Sequence, residues 1–160
     1  MKKTRFATIL LLALLTVLPL NAQKRKGQTG KEPLFGKELA TYTVASESLR
    51  GASFYLVAGH GGPDPGAIGI YQGRPLHEDE YAYDIILRLA RELMMRGAKV
   101  EVIIQDKKDG IREGRILAGS KRETCMGKVI PLKQTERLQQ RAAKINELYR
   151  QDKSKYKRAI

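Results

Sequence analysis

The chain has 160 residues and a formal net charge of +13 at pH 7, from 30 lysines and arginines against 17 aspartates and glutamates. That length holds one domain of ordinary size rather than two, and a basic surface of this kind attracts anionic polymers. The single cysteine, Cys125, excludes an internal disulfide and lies too far from the N-terminus to be a lipid-bearing terminal cysteine.

The first predicted element is a leader. Lys2, Lys3 and Arg5 precede a 15-residue run, 6–20, that is apolar except at Thr8, Thr16 and Pro19, and Asn21-Ala22-Gln23 follows. This order is that of a secretory signal peptide, residues 1–22, and the run is shorter than the roughly 20 residues that a membrane-crossing helix needs. Cleavage after Ala22 is expected over permanent anchoring, although Leu20, where a small residue is usual, leaves open which bond is cut. Removal leaves 138 of the 160 residues and a charge of +10, because three cations leave and no acid does. Export turns the expected anionic partner away from nucleic acid and toward polymers of the periplasm or cell envelope, with no stable membrane anchor.

Residues 23–38 contain Lys24, Arg25, Lys26, Lys31 and Lys37 among Gly27, Gly30 and Gly36, and read as a mobile basic linker. The domain proper is therefore expected over 39–160. Thr41-Tyr42-Thr43-Val44 has β-type composition, and the near-continuous apolar run 53–58, ending in glycine, predicts a buried strand. From Glu80 onward Tyr81, Ile85, Leu89 and Leu93 recur at intervals of four, flanked by Ile86, Ala90 and Met94. This predicts an amphipathic helix stopped by Gly97. The β-rich run 99–104 follows, so strand, helix and strand imply a right-handed parallel crossover.

Residues 105–131 are polar and carry Gly110, Gly114, Gly119, Gly127 and Pro131, long for a connection inside one domain; such loops are usually functional or mobile. Their basic residues lack the interleaved aromatics of a nucleic-acid stacking platform and read as a solvated face. A second helix is expected from about 135 to 152, with Leu138, Ala142, Ile145 and Tyr149 on one face and Leu148 beside them. Residues 156–160 look like the approach to another strand, and the parallel unit reads as interrupted, with open edges.

The densest chemical signal is Gly59-His60-Gly61-Gly62-Pro63-Asp64-Pro65-Gly66-Ala67-Ile68-Gly69, at the C-terminal end of the first buried strand, where open α/β sheets bind ligands. Glycines on both sides of His60 let the backbone turn sharply and leave the imidazole unshielded, as a metal ligand requires. Eighteen residues later Glu78, Asp79 and Glu80 stand at the threshold of the helix, where acids also serve the helix dipole. Cys125 has no histidine near it in the chain and reads as structural rather than nucleophilic.

In combination, the strand, the run GHGGPDPGAIG, the run HEDEYAYD and a helix ending in RGAKVEVII resemble the zinc-dependent N-acetylmuramoyl-L-alanine amidases. Their signature runs GHGG-x-DPGA-x-G, then a glutamate opening the first helix, then RGA-x-V and a strand. The resemblance covers about residues 53–150. It implies an α/β fold of the strand-helix-strand-helix kind, the N-terminal part of a parallel-sheet amidase domain that lacks the later strands. His60 matches the first zinc ligand and Glu78 the glutamate ligand, with the count back from Arg96-Gly97-Ala98 favouring Glu78 over Asp79 or Glu80. Gly59, Gly61, Gly62, Asp64 and Gly66 match loop positions that shape the site, and the helix bearing Arg137 and Arg141 matches the family's second helix. The implied cofactor is zinc and the implied substrate peptidoglycan, cut at the amide between N-acetylmuramic acid and L-alanine of the stem peptide. The family's second histidine ligand and general-base glutamate have no match here, and the only other histidine is His77. The resemblance thus implies an incomplete site with little or no activity; the alternative is a non-catalytic remnant or an exported protein that binds the cell wall.

Overall fold

The computed structural model describes residues 23–160, so the expected leader at 1–22 lies outside the described residues. In chain order the elements are β1 (Thr29–Lys31), a 3-10 turn at Pro33–Phe35, β2 (Thr41–Thr43), β3 (Ala52–Leu56), β4 (Ile68–Tyr71), β5 (Arg74–His77), α1 (Glu78–Met95), β6 (Lys99–Val102), β7 (Ile104–Gln105), β8 (Thr124–Cys125), β9 (Lys128–Val129), α2 (Gln134–Asp152) and β10 (Arg158–Ala159).

The two runs expected as strands, β3 and β6, pair in parallel, with Phe54 opposite Val100 and Leu56 opposite Val102. β10 joins the other side of β3, also in parallel, with Arg158 opposite Ala52, and the order is β10-β3-β6. The segment 156–160 thus reaches a strand, as expected, and β3 takes the centre that its apolar composition suits. Gly97 ends α1 at φ +84. Its N–H bonds to Met94 O, and that of Ala98 to Leu93 O, so the last carbonyls of the helix are met by the left-handed turn that glycine allows.

Three expectations need correction. Residues 23–38 are not a mobile linker: β1 pairs antiparallel with β2, and Leu34 and Phe35 of the 3-10 turn belong to the core. Two apolar side chains among many lysines suffice, because the segment lies over α1 and buries what little it has. For the same reason Thr41–Thr43 pairs with β1 and adds nothing to the parallel sheet. The long connection 105–131 is also tied down, for it contains β8, β9 and the buried Leu117 and Ile130, and the Tyr83 hydroxyl both donates to Asp106 O and accepts from its N–H.

The third correction concerns the helix faces. On α1 the buried line is Tyr83, Leu87, Ala90 and Met94, whereas Ile85 is 62% exposed and Leu89 42%. On α2 the buried residues are Arg141, Leu148 and Asp152, and the expected Leu138 and Tyr149 are 56% and 46% exposed. Carboxylates and an arginine also occupy core-facing positions, where partners from distant segments satisfy them, so apolar spacing finds part of each inner face, with Ala90, Met94 and Leu148 buried and Ile86, Leu93 and Ile145 packed against the core, and misses the rest. Leu87→Ala is expected to destabilise the fold by about 2–5 kcal/mol and Ile85→Ala by under about 0.5 kcal/mol in urea unfolding; equal costs would show that α1 is turned otherwise.

Candidate functional site

The chain leaves β3 at the top of the sheet and makes a tight turn, in which Gly61 N–H donates to Asp64 O at 2.8 Å. Gly62 holds φ +65, and a Cβ there would press on Ile130 at 3.2 Å. Gly66 is the strictest position: at φ +67, a Cβ would lie 2.7 Å from Glu78 Oε2 and 2.9 Å from His60 Cδ2. The glycine lets these two side chains close over it. Gly59, by contrast, has open space around its Cβ direction, and what it contributes is a carbonyl that accepts from Arg141.

His60 Nε2 and Glu78 Oε1 lie 3.4 Å apart. Two atoms bound to one tetrahedral zinc at about 2.0–2.2 Å would stand about 3.3–3.6 Å apart, so this pair already has the spacing that a shared ion requires. The other Glu78 oxygen accepts the Ala67 N–H at 2.8 Å, which fixes the carboxylate. On the far side of the imidazole, Nδ1 lies 3.2 Å from Asp64 Oδ2, near enough for an ion pair but not aligned as a hydrogen bond. Asp64 also accepts the Gly66 N–H at 3.3 Å and meets Arg137 Nη2 at 2.8 Å. Burial alone would raise the Asp64 carboxyl, but His60, the Gly66 N–H and Arg137 outweigh it and hold it below the ordinary aspartate value.

The neighbouring acids face elsewhere. Asp79, Glu80 and the distant Glu123 are buried, with one carboxylate oxygen of each within 4.8 Å of the others. Glu123 accepts the Gly62 N–H at 2.9 Å, and Glu80 accepts from Ser120 N–H and, at 2.8 Å, from Arg112. Burial, with Glu80 and Glu123 adding to it, pushes Asp79 up to about 6. These groups bind the 105–131 connection to the glycine loop and to α1. Glu123 escapes sequence reasoning because nothing in its spacing ties it to residues some 60 positions earlier. His77 packs its ring on the backbone of Gly119, where a Cβ would come within 3.1 Å. Cys125 is buried, and burial raises its thiol, which suits a structural residue.

The fold and this site together define a mixed α/β protein with a histidine and a glutamate converging at the C-terminal end of a parallel sheet. The family model of the N-acetylmuramoyl-L-alanine amidases matches residues 55–152, from β3 to the end of α2. The chain belongs to that family. No curated protein and no solved structure matches the chain.

Gly66→Ala is expected to cost about 1–3 kcal/mol, from left-handed backbone strain and the collision with Glu78 and His60, while Gly59→Ala leaves stability within about 0.5 kcal/mol. Chemical unfolding of the two variants checks this, and a Gly59→Ala loss as large as that of Gly66→Ala would contradict the loop geometry.

Proposed function

We propose that the chain serves peptidoglycan turnover by hydrolysis of the amide between N-acetylmuramic acid and L-alanine of the stem peptide, with zinc held at His60 and Glu78. The observation that carries this reading is the 3.4 Å approach of His60 Nε2 to Glu78 Oε1 at the sheet end, in a chain of the amidase family. Bound there, zinc would polarise the amide carbonyl and lower the pKa of a coordinated water. The protein's own contribution is to present the Nε2 lone pair, to supply the Glu78 charge, and to keep both in place through Asp64, Ala67 N–H and the gap at Gly66.

A catalytic zinc takes about three protein ligands and a water. The second histidine ligand and the general base that the resemblance implies have no counterpart among the 160 residues, and His77 is committed to the loop at Gly119. Wall binding without hydrolysis is the second reading, favoured by the excess of positive charge. Among the described residues no helix is long and apolar enough to cross a membrane, and access to peptidoglycan follows from export directed by residues 1–22.

The test is release of free stem peptide from purified peptidoglycan, with zinc and with chelator, beside zinc titration of the wild type, His60→Ala and Glu78→Ala. Zinc binding weakened or lost in both variants, with stem-peptide release that falls with chelator and in His60→Ala, is the expected result. Zinc binding indifferent to His60→Ala would sink the metal reading, and stem-peptide release unchanged by chelator would sink the metal-dependent hydrolytic one. For export, mass spectrometry of the envelope fraction should find a protein beginning near Gln23, and an intact Met1 there would refute processing.

A further inference from the structure

In the order β10-β3-β6, β6 is an edge strand with β3 on one side only. Ile103 N–H donates to Leu56 O at 2.9 Å, so the odd-numbered residues of this stretch turn their backbone groups toward β3, and Val100 and Val102 direct theirs to the outer edge. There Gln105 Nε2 donates to the Val102 carbonyl at 2.8 Å. Among the described residues nothing bonds to the Val102 N–H or to the N–H and carbonyl of Val100. Yet Val100 is 8% exposed and Val102 4%, and backbone groups at that depth are normally paired. Both valines line a groove between the strand edge and segment 31–34. It has an apolar hollow of about 370 Å³, walled by Leu34, Met94, Val100 and Val102, and a polar one of about 260 Å³ beside Lys99 and Glu101. Lys24, Lys31 and Lys107 stand exposed on its rim and make no ion pair among the described residues. The carboxylates of the rim are already engaged, Glu101 with Lys99 at 3.1 Å and Glu32 with the Leu34 N–H at 3.0 Å.

We propose that this groove receives an extended segment of a partner protein, added as a strand to the outer edge of β6, with apolar and polar residues alternating along it and carboxylates at its ends. Strand addition supplies the partners that the Val100 and Val102 backbone groups lack. An added strand carries its side chains alternately to the two faces of the sheet, beside Val100 and Val102 on one and beside Lys99 and Glu101 on the other, which sets the alternation. The three unpaired lysines of the rim set the charge of its ends. A second copy of the chain is a poor occupant, because its own β6 edge is equally recessed and two such grooves cannot enter one another. No residue lining the groove belongs to the loop 59–69 or to the first turn of α1. A partner held there tethers the chain while His60 and Glu78 stay uncovered, and its binding is independent of any metal.

The experiment uses the full 160-residue chain and the synthetic peptide acetyl-Asp-Val-Thr-Val-Thr-Val-Asp-amide, followed by amide hydrogen exchange and by titration. The peptide should bind and slow exchange at the Val100 and Val102 amides, leaving those of Glu101 and Ile103, already paired with β3, unchanged. Two analogues, N-methylated at the valines or at the threonines, separate edge pairing from simple apolar contact, because only one of the two sets of N–H groups faces β6. One analogue should bind about 10-fold or more weaker and the other should keep its affinity. A peptide with lysines in place of the two aspartates should bind more weakly, by a margin that shrinks as salt rises. In the double variant Lys24→Glu with Lys107→Glu, both changes at exposed positions, that preference should reverse. Absence of binding, exchange unchanged at Val100 and Val102, equal affinities of the two N-methyl analogues, or indifference to the charge of the ends would each overturn the proposal. Light scattering is run beside the titration, and a dimer that the peptide dissociates would assign the groove to a second copy and overturn it as well.

Discussion

Parallel pairing of β3 with β6 is the constraint on which the site depends. Two parallel neighbours need a crossover, and the helix that makes it must run back against the strands. The N-terminus of α1 therefore arrives at the same end of the sheet at which β3 releases the chain. His60 follows β3 and Glu78 opens α1, so eighteen residues of separation close to 3.4 Å. The β4–β5 hairpin fills the interval, turning at Gln72 and Gly73, both with positive φ, and returning the chain so that Ile68 pairs with His77, one residue before Glu78.

The second organising feature is buried charge. At the foot of the sheet Asp152, near the end of α2, accepts from Ser53 Oγ, Tyr55 OH and Lys99 Nζ, which links the helix to β3 and β6. At the top, Arg137 and Arg141 tie the same helix to the glycine loop. On the opposite face Glu80 and Asp106 gather Arg112, Ser120 and Arg122 and so hold the connection 105–131 against α1. Removing one partner from a pair of this kind typically costs about 3–5 kcal/mol, because the other charge is left buried alone. These links tie both helices and the long connection to the sheet, and they explain why polar residues stand on the inner faces of both helices.

Strands and helix ends were legible in the sequence where the cause is local. The apolar run of β3, the β-branched run of β6, the stop at Gly97 and the extent of α2 follow from composition and backbone preference within a few residues. The glycine motif was legible too, and Gly62 and Gly66 show why: their left-handed backbone and the space above them admit no side chain. The helix faces were legible only in part, since Ala90, Met94 and Leu148 are buried as expected, but Asp79, Glu80, Asp84 and Arg141 look like surface residues until their surroundings are known. Leu34 and Phe35 were overlooked because lysines and glycines surround them.

By itself, then, the sequence determined the order β3, α1, β6 and α2, the family and the two residues brought together at the sheet end, because each is written in short runs whose physics is local, while the β1–β2 and β4–β5 pairs and β8–β9 did not show in it. Only the tertiary structure decided which face of each helix is buried, that 23–38 is packed, that Glu123 closes on Gly62, and that Arg137 stands behind Asp64 and His60. Those outcomes depend on whether a charge meets its partner from a remote segment, and the free energy of a buried charge is set by that partner rather than by its neighbours in the chain.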